Sequence, residues 1–188
     1  MKSLLIITRV HPGRPMMLQK CVESVKVQTS DDYIHLILRD DDTVHGYGKL
    51  LANQSLATVW PIEAKYVMVL DDDDRLVYPQ FVEEFVGRIK LNPEIVFFQG
   101  EVKGLGVLPS EEYWRQPPVR GKIASFCFAV RRDVWIENIE EFGRLLSGGD
   151  FCFISRCYER TTNHHWWAEL IACTQKGAGK GHDEKTHK

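Results

Sequence analysis

No two cysteines stand at the C-x-x-C spacing, and the five in the chain, Cys21, Cys127, Cys152, Cys157 and Cys173, are odd in number. That excludes a closed disulfide framework and leaves reduced, mostly buried cytosolic thiols, although a buried thiol and an unusual ligand read alike in one sequence. Long apolar runs are missing as well. Residues 4–7 are apolar, but Thr8, Arg9, His11 and Arg14 follow at once, so the run is too short for a signal peptide or a membrane span. Neither sign of charge dominates: the net charge is −2, with Lys and Arg dispersed until the tail, which gives no nucleic-acid footprint. There is no internal repeat and no interdomain linker. What remains, 188 residues at 44% hydrophobic and 27% charged, is an ordinary globular composition with enough chain for one sizeable core. A cytoplasmic location, at most peripheral to a membrane, is expected.

The chain is organised around Lys65-Tyr66-Val67-Met68-Val69-Leu70 running into Asp71-Asp72-Asp73-Asp74. The apolar run reads as a buried strand, and the acids begin where that strand should end. In open α/β sheets ligands bind in the crevice beyond the carboxyl ends of the strands. Alternation along an extended chain puts Asp71 and Asp73 on one side and Asp72 and Asp74 on the other. Two unit charges about 4 Å apart repel by roughly 4 kcal/mol at an effective dielectric near 20, so an enclosed tetrad invites a counter-cation, and oxygen ligands suit Mg²⁺ or Mn²⁺. A solvated acidic loop is the alternative, but such a loop has no reason to follow a core strand directly.

Taken in order, residues 3–8 form a first strand, and Pro15 opens a helix with Leu18, Cys21, Val22 and Val25 on one stripe. Residues 33–38 form a second strand ending in Asp40-Asp41-Asp42, and a helix is expected over 47–58. After the Asp tetrad a helix opened by Pro79 carries Val82, Phe85, Val86 and Ile89 inward, and residues 95–98 form a further strand. Successive strand and helix units imply a largely parallel sheet, with both acidic clusters facing one crevice. The stretch 100–121, with Tyr113, Trp114 and Arg115, reads as a long connection, with the one candidate internal boundary near Gly100. Residues 123–130 are expected as a strand, Ile139, Phe142 and Leu146 as a short helix, 151–160 as a helix and 165–174 as a closing strand. The tail from Lys176 is nearly without apolar residues and is expected to be mobile.

These residues carry a resemblance. Ile6-Ile7-Thr8-Arg9 with Arg14-Pro15 and Leu18, Cys21-Val22-Glu23-Ser24-Val25 with Gln28-Thr29, Asp40-Asp41-Asp42-Thr43, Ala52-Asn53, and Val69 through Leu76 with Pro79 resemble the family 2 glycosyltransferases of the GT-A fold, with a DxD motif. The match is dense over residues 4–90. Beyond that it rests on residues 121–135 and on Gly149-Asp150. The resemblance implies an α/β fold, a single GT-A-like domain over 1–176 with a mostly parallel central sheet flanked by helices, of the nucleotide-diphospho-sugar transferase kind. Residues 1–100 would be the nucleotide-sugar and metal half, 101–176 the acceptor half and 177–188 a mobile basic tail. It further implies a nucleotide-diphosphate sugar donor, Mn²⁺ or Mg²⁺ as cofactor, and inversion at the anomeric carbon. By position, Thr8 and Arg9 would line the base pocket, and Asp40, Asp41, Asn53 and Asp71 would contact the nucleotide. Asp71, Asp73 and Asp74 would hold the metal with His182 as a late ligand, and Asp150 would be the catalytic base. The acceptor, a glycan, a lipid-linked sugar or a small molecule, is not specified, and an oligomer is left open. Gly149 stands where the family often has an acidic residue, and Trp166-Trp167 lacks the preceding Gln-x-x-Arg of processive synthases.

The chemistry asks for the same parts independently. A leaving diphosphate gains charge as the anomeric bond breaks, and a hydroxyl acceptor needs a base on the opposite face. Asp150, after two glycines, can be that base or an ordinary helix N-cap. His11 and His45 read as turn residues, His164-His165 as a surface pair at a strand entry, and Trp114 as either a packed ring or a platform for a sugar. Two other functions stay open: a non-catalytic GT-A-like module that binds a nucleotide or sugar, and a DxD-type phosphohydrolase of the haloacid-dehalogenase kind. The latter wants Thr or Val where Arg75 stands, on the first strand of its domain.

Overall fold

The computed structural model describes residues 1–11, 13–39, 56, 62–143 and 148–175. Asp40, Asp41, Asn53 and His182, the expected helix over 47–58 apart from residue 56, and the tail from Lys176 lie outside these residues. The strands are β1 (Lys2–Val10), β2 (Tyr33–Arg39), β3 (Ala64–Val69), β4 (Asp74–Leu76), β5 (Ile95–Val102), β6 (Gly106–Leu108), β7 (Phe128–Arg131) and β8 (His164–Thr174). The α-helices are α1 (Pro15–Lys26), α2 (Phe81–Arg88), α3 (Arg132–Asn138) and α4 (Gly149–Arg160). None of the described helices is long and apolar enough to cross a membrane.

The strands form one sheet in the order β2-β1-β3-β7-β5-β8-β4, with β6 beside β5. It is mixed, which corrects the expectation of a mostly parallel sheet. β1 runs parallel to β2 and β3, and β5 parallel to β8, whereas β7 opposes both β3 and β5, β4 opposes β8 and β6 opposes β5. A parallel neighbour needs a crossover of a dozen or more residues. β6 returns from β5 through a turn far too short for one, so it must fold back as a hairpin. β4 leaves β3 by a similarly short link, and it crosses to β8 instead of pairing beside its predecessor.

Two further expectations are revised. Over 123–130 only the last part is a strand; Ser125–Cys127 is a 3-10 turn with all three residues buried, and β7 starts at Phe128. Helix α3 begins directly after β7, ahead of the expected helix around Ile139, where the chain instead makes a 3-10 segment over Ile139–Gly143. Gly100 lies inside β5. A Cβ built there would sit 2.2 Å from Cε2 of Phe126, so this glycine lets the 3-10 turn close over the strand.

Aromatic rings pack the helices onto the sheet in two clusters. Phe81 of α2 stacks on Trp167 at 5.8 Å and meets Phe98 edge-on at 5.3 Å. On another side Phe142 stacks on Phe153 of α4 at 4.4 Å, with the Trp135 indole 5.1 Å from the same ring. These fully buried rings hold α2 and α4 against the sheet, and α4 is the helix that delivers Asp150.

Candidate functional site

The carboxyl ends of β1 and β3 lie side by side because the two strands are parallel and in register, Leu4 opposite Tyr66 and Ile7 opposite Val69. Pairing continues past β3, with Leu70 N donating to Ile7 O and Asp72 N to Arg9 O. This extension sets Asp71 beside Arg9, whose Nε and Nη2 donate to the two carboxylate oxygens at 2.7 and 2.6 Å. The chain then turns, with Asp74 N donating to Asp71 O, and enters β4.

Burial alternates through the turn as the two-sided reading expects. The Asp71 and Asp73 side chains keep 24% and 18% of their exposure, whereas Asp72 and Asp74 are buried. Asp72 accepts from the His11 backbone N–H at 2.5 Å and from Arg14 Nη1 at 3.2 Å, and the same Arg14 nitrogen lies 2.8 Å from Asp73 Oδ2. His11 thus binds the site through its backbone and is more than a turn decoration. Arg14, itself buried just ahead of α1, spans two of the four acids, a role that was not assigned to it from the sequence. The signal was there in Arg14-Pro15, a cation immediately before a helix-opening proline.

Gln175 was missed altogether. At the end of β8 its Nε2 lies 3.1 Å from Asp72 O, 3.1 Å from Asp74 O and 2.9 Å from Met17 O, and its backbone N–H donates to Asp73 O at 2.8 Å. One residue therefore holds the carbonyls of 72, 73 and 74, and ties the turn to α1. A lone glutamine after an apolar strand gives no sequence signal for this.

Thr8 is fully buried, with Oγ1 2.9 Å from His35 Nε2 and 3.5 Å from Cys21 Sγ, so its hydroxyl faces the seam of β1, β2 and α1. Asp150 is the second residue of α4. The N-cap is Gly148, whose φ of +83° favours glycine, so the capping position is not Asp150's own. Trp114 packs edge-on against Trp166, with ring centres 5.1 Å apart.

The electrostatics couple these groups. Burial pushes the Asp72 carboxyl up to about 7, against the pull of the His11 N–H and Arg14. Burial, with Asp73 and Asp71 adding like charge, holds Asp74 well above the usual carboxylate range. Asp150 is also raised, first by burial; the Phe151 N–H and the Arg9 charge oppose the rise and the Asp71 charge adds to it. The Cys127 thiol, pushed up to about 12 by burial, feels both Asp74 and Asp150. Five carboxyl groups thus share one neighbourhood with the guanidinium groups of Arg9 and Arg14; burial there favours protonation, and a bound cation would offset the same negative charge. Among the described residues no group of three His, Cys, Asp or Glu side chains is arranged to hold a metal ion.

No family model and no curated protein sequence matches the chain. Solved structures do match in shape. TarS of S. aureus, residues 1–349, in complex with UDP-GlcNAc, superposes with a TM-score of 0.70 at 15% identity over 95% of this chain and 60% of that one. The same protein with UDP gives 0.69 at 14% identity over 94% and 61%. A glycosyltransferase involved in the glycosylation of the major capsid of PBCV-1 gives 0.60 at 11% identity, covering 94% of each chain. This chain spans about three fifths of the TarS fragment. What it shares with these structures is their fold, a GT-A-like α/β architecture built on a mixed sheet.

Proposed function

We propose that the chain is a glycosyltransferase that moves a sugar from a nucleotide-diphosphate donor to an acceptor hydroxyl, with inversion. The observation that carries this reading is electrostatic: Asp150, at the start of α4, is half-buried and feels the charges of the Arg9–Asp71 pair at the carboxyl edge of β1 and β3. A base and a diphosphate site are needed together only if transfer is catalysed; a pure binding module needs no Asp150. The UDP-GlcNAc held by TarS in the same fold supports UDP as the nucleotide.

The donor set fits Mg²⁺ or Mn²⁺, which proteins commonly hold through one or two carboxylates while substrate phosphates and water complete the shell. Asp71 and Asp73, the two acids that keep exposure, would hold the ion, with Asp74 buried behind them and His182 as a later ligand. When bound, the ion would neutralise charge on the departing diphosphate. Every other part of the reaction falls to side chains. Arg9 fixes Asp71, and Arg14 bridges Asp72 and Asp73. Asp150 takes the proton of the acceptor hydroxyl as its oxygen attacks the anomeric carbon and the carbon–phosphate-oxygen bond breaks. A raised proton affinity makes a carboxylate a better base once ionised, and burial raises that of Asp150.

Thermal shifts with UDP, GDP, CDP and TDP, each with and without Mn²⁺, test the donor half. A ligand at about 100 times its Kd adds about 2.7 kcal/mol, roughly 5 to 10 °C in a domain of this size. The expected result is a Mn²⁺-dependent rise with UDP that Asp73→Ala abolishes without lowering the apoprotein melting temperature. A flat panel would remove the reading.

A further inference from the structure

A cavity lies at the other end of the parallel strands. It has a volume of about 770 Å³ and opens between the end of α2 and the start of α3, floored by the first residues of β1 and β3. Those strands end at the acidic turn, so this cavity is at the opposite sheet edge and shares no residue with the candidate site. Its volume is that of small-molecule sites.

The walls divide by chemistry. Tyr66, Val86, Ile89 and Ile136 make the apolar part. The two buried polar side chains in the wall are already satisfied: the Tyr66 hydroxyl donates to Pro93 O, and Ser3 Oγ donates to Asp32. A sugar or a base would find few open hydrogen-bonding groups inside. Around the mouth stand Lys65, Lys90, Arg131 and Arg132, against one acid, Asp133. Arg131 is neutralised, with Nε and Nη2 on Asp133 and a further contact to Glu94 at 3.6 Å. Lys65, Lys90 and Arg132 are exposed and make no ion pair among the described residues; Arg132 meets only the Met1 sulfur, at 3.7 Å, and Lys65 lies within electrostatic reach of Asp32. Four cations therefore stand against one acid in the lining of this mouth, on a chain whose net charge is −2. Leu91, next to Lys90, is 81% exposed and carries the apolar surface outward.

We propose that this cavity binds an amphiphilic anion: a single anionic head, phosphate or carboxylate, on Lys65, Lys90 and Arg132, with an apolar chain along Tyr66, Val86, Ile89 and Ile136. Such a ligand satisfies the cations and asks nothing of the interior except contact. The site is separate from the donor site, so it stands whether or not the chain transfers sugars.

Calorimetry of the full chain with octyl phosphate below its micellar concentration tests the proposal. Saturable one-to-one binding is expected, weaker for hexyl phosphate by about two- to fourfold per methylene, and undetectable for inorganic phosphate or octyl glucoside. Lys65→Glu with Lys90→Glu, exposed reversals that keep the fold, should weaken binding at least tenfold at low salt. Val86→Trp, which fills the cavity and leaves the charges, should block it independently. Sedimentation with phosphatidylcholine vesicles, with and without phosphatidylserine, separates two sources of the ligand. Pelleting with anionic vesicles that octyl phosphate reverses assigns a lipid, and octyl phosphate binding without pelleting assigns a soluble amphiphile. Absence of saturable binding, octyl glucoside binding as well as octyl phosphate, or undiminished affinity in both variants would overturn the site. A normal UDP response in the same protein would keep that outcome distinct from failure of the transferase reading.

Discussion

The guanidinium of Arg9 grips the Asp71 carboxylate through two parallel hydrogen bonds, Nε to Oδ1 at 2.7 Å and Nη2 to Oδ2 at 2.6 Å. Any divalent ion that uses Asp71 must compete with this fork for the same oxygens. Charge-assisted hydrogen bonds contribute about 1.5 to 3 kcal/mol, so removing the competitor should strengthen ion binding by about tenfold or more. Arg9→Gln is therefore expected to tighten Mn²⁺ binding in the absence of nucleotide, read by paramagnetic resonance of free Mn²⁺. Unchanged affinity would mean that ion and guanidinium do not share Asp71.

Gln175 is expected to matter to the site more than to the fold. Gln175→Leu removes the donor that faces three buried carbonyls, and each unsatisfied buried group costs about 1 to 3 kcal/mol, so the melting temperature should fall. Because those carbonyls belong to the acidic turn and α1, Mn²⁺-dependent UDP affinity should fall further than in Phe153→Leu, a core variant matched for stability. Equal affinity losses in the two variants would reduce Gln175 to packing.

His35 sets an acid limit on stability. Burial, helped by the Lys26 charge, lowers its pKa to about 4, with Nε2 against Thr8 Oγ1. The unfolded chain takes up this proton first, near pH 6.5, so the folded state is favoured fully above that pH and loses the advantage as pH falls towards 4. The loss is on the order of 3 kcal/mol. Urea titrations of the protein and of His35→Gln at pH 7 and pH 4.5 check it: the variant should show the smaller drop, and parallel drops would sink the assignment.

The parts of this architecture that the sequence discloses are those where one signal dominates. β1, β3, β5 and β8 are apolar runs, and α1, α2 and α4 carry inward stripes, so each was legible locally. Strand direction is a different kind of information. β7 follows a long connection and inserts between β3 and β5 against both, and nothing in Phe128-Ala129-Val130 encodes that polarity. β4 was hidden because Asp74-Arg75-Leu76 looks like a continuing charged turn, yet it pairs with β8 and buries Asp74. The acids themselves were visible as a cluster at a strand end. Their partners were not, since Arg14 reaches Asp72 from 58 residues away and Gln175 reaches it from 103.

Asp150 separates an enzyme from a binding module. Its carboxyl is half-buried with its proton affinity raised, it feels the charges of Arg9 and Asp71, and the cap of its helix is Gly148. Asp150→Asn keeps the shape and removes a charge that burial disfavours, so stability should hold or rise slightly. A base positioned on the acceptor hydroxyl contributes about 10² to 10⁴-fold, and it touches neither nucleotide nor diphosphate. The loss should therefore appear in kcat at that size, with donor KM and Mn²⁺-dependent UDP affinity unchanged. In the unsubstituted protein the acid limb of the kcat profile should lie above the ordinary carboxylate range, because activity needs the ionised form of a group whose pKa is raised. A folded Asp150→Asn protein with full turnover would take Asp150 out of the mechanism; one that binds UDP normally and transfers almost nothing would leave the binding-module reading without support.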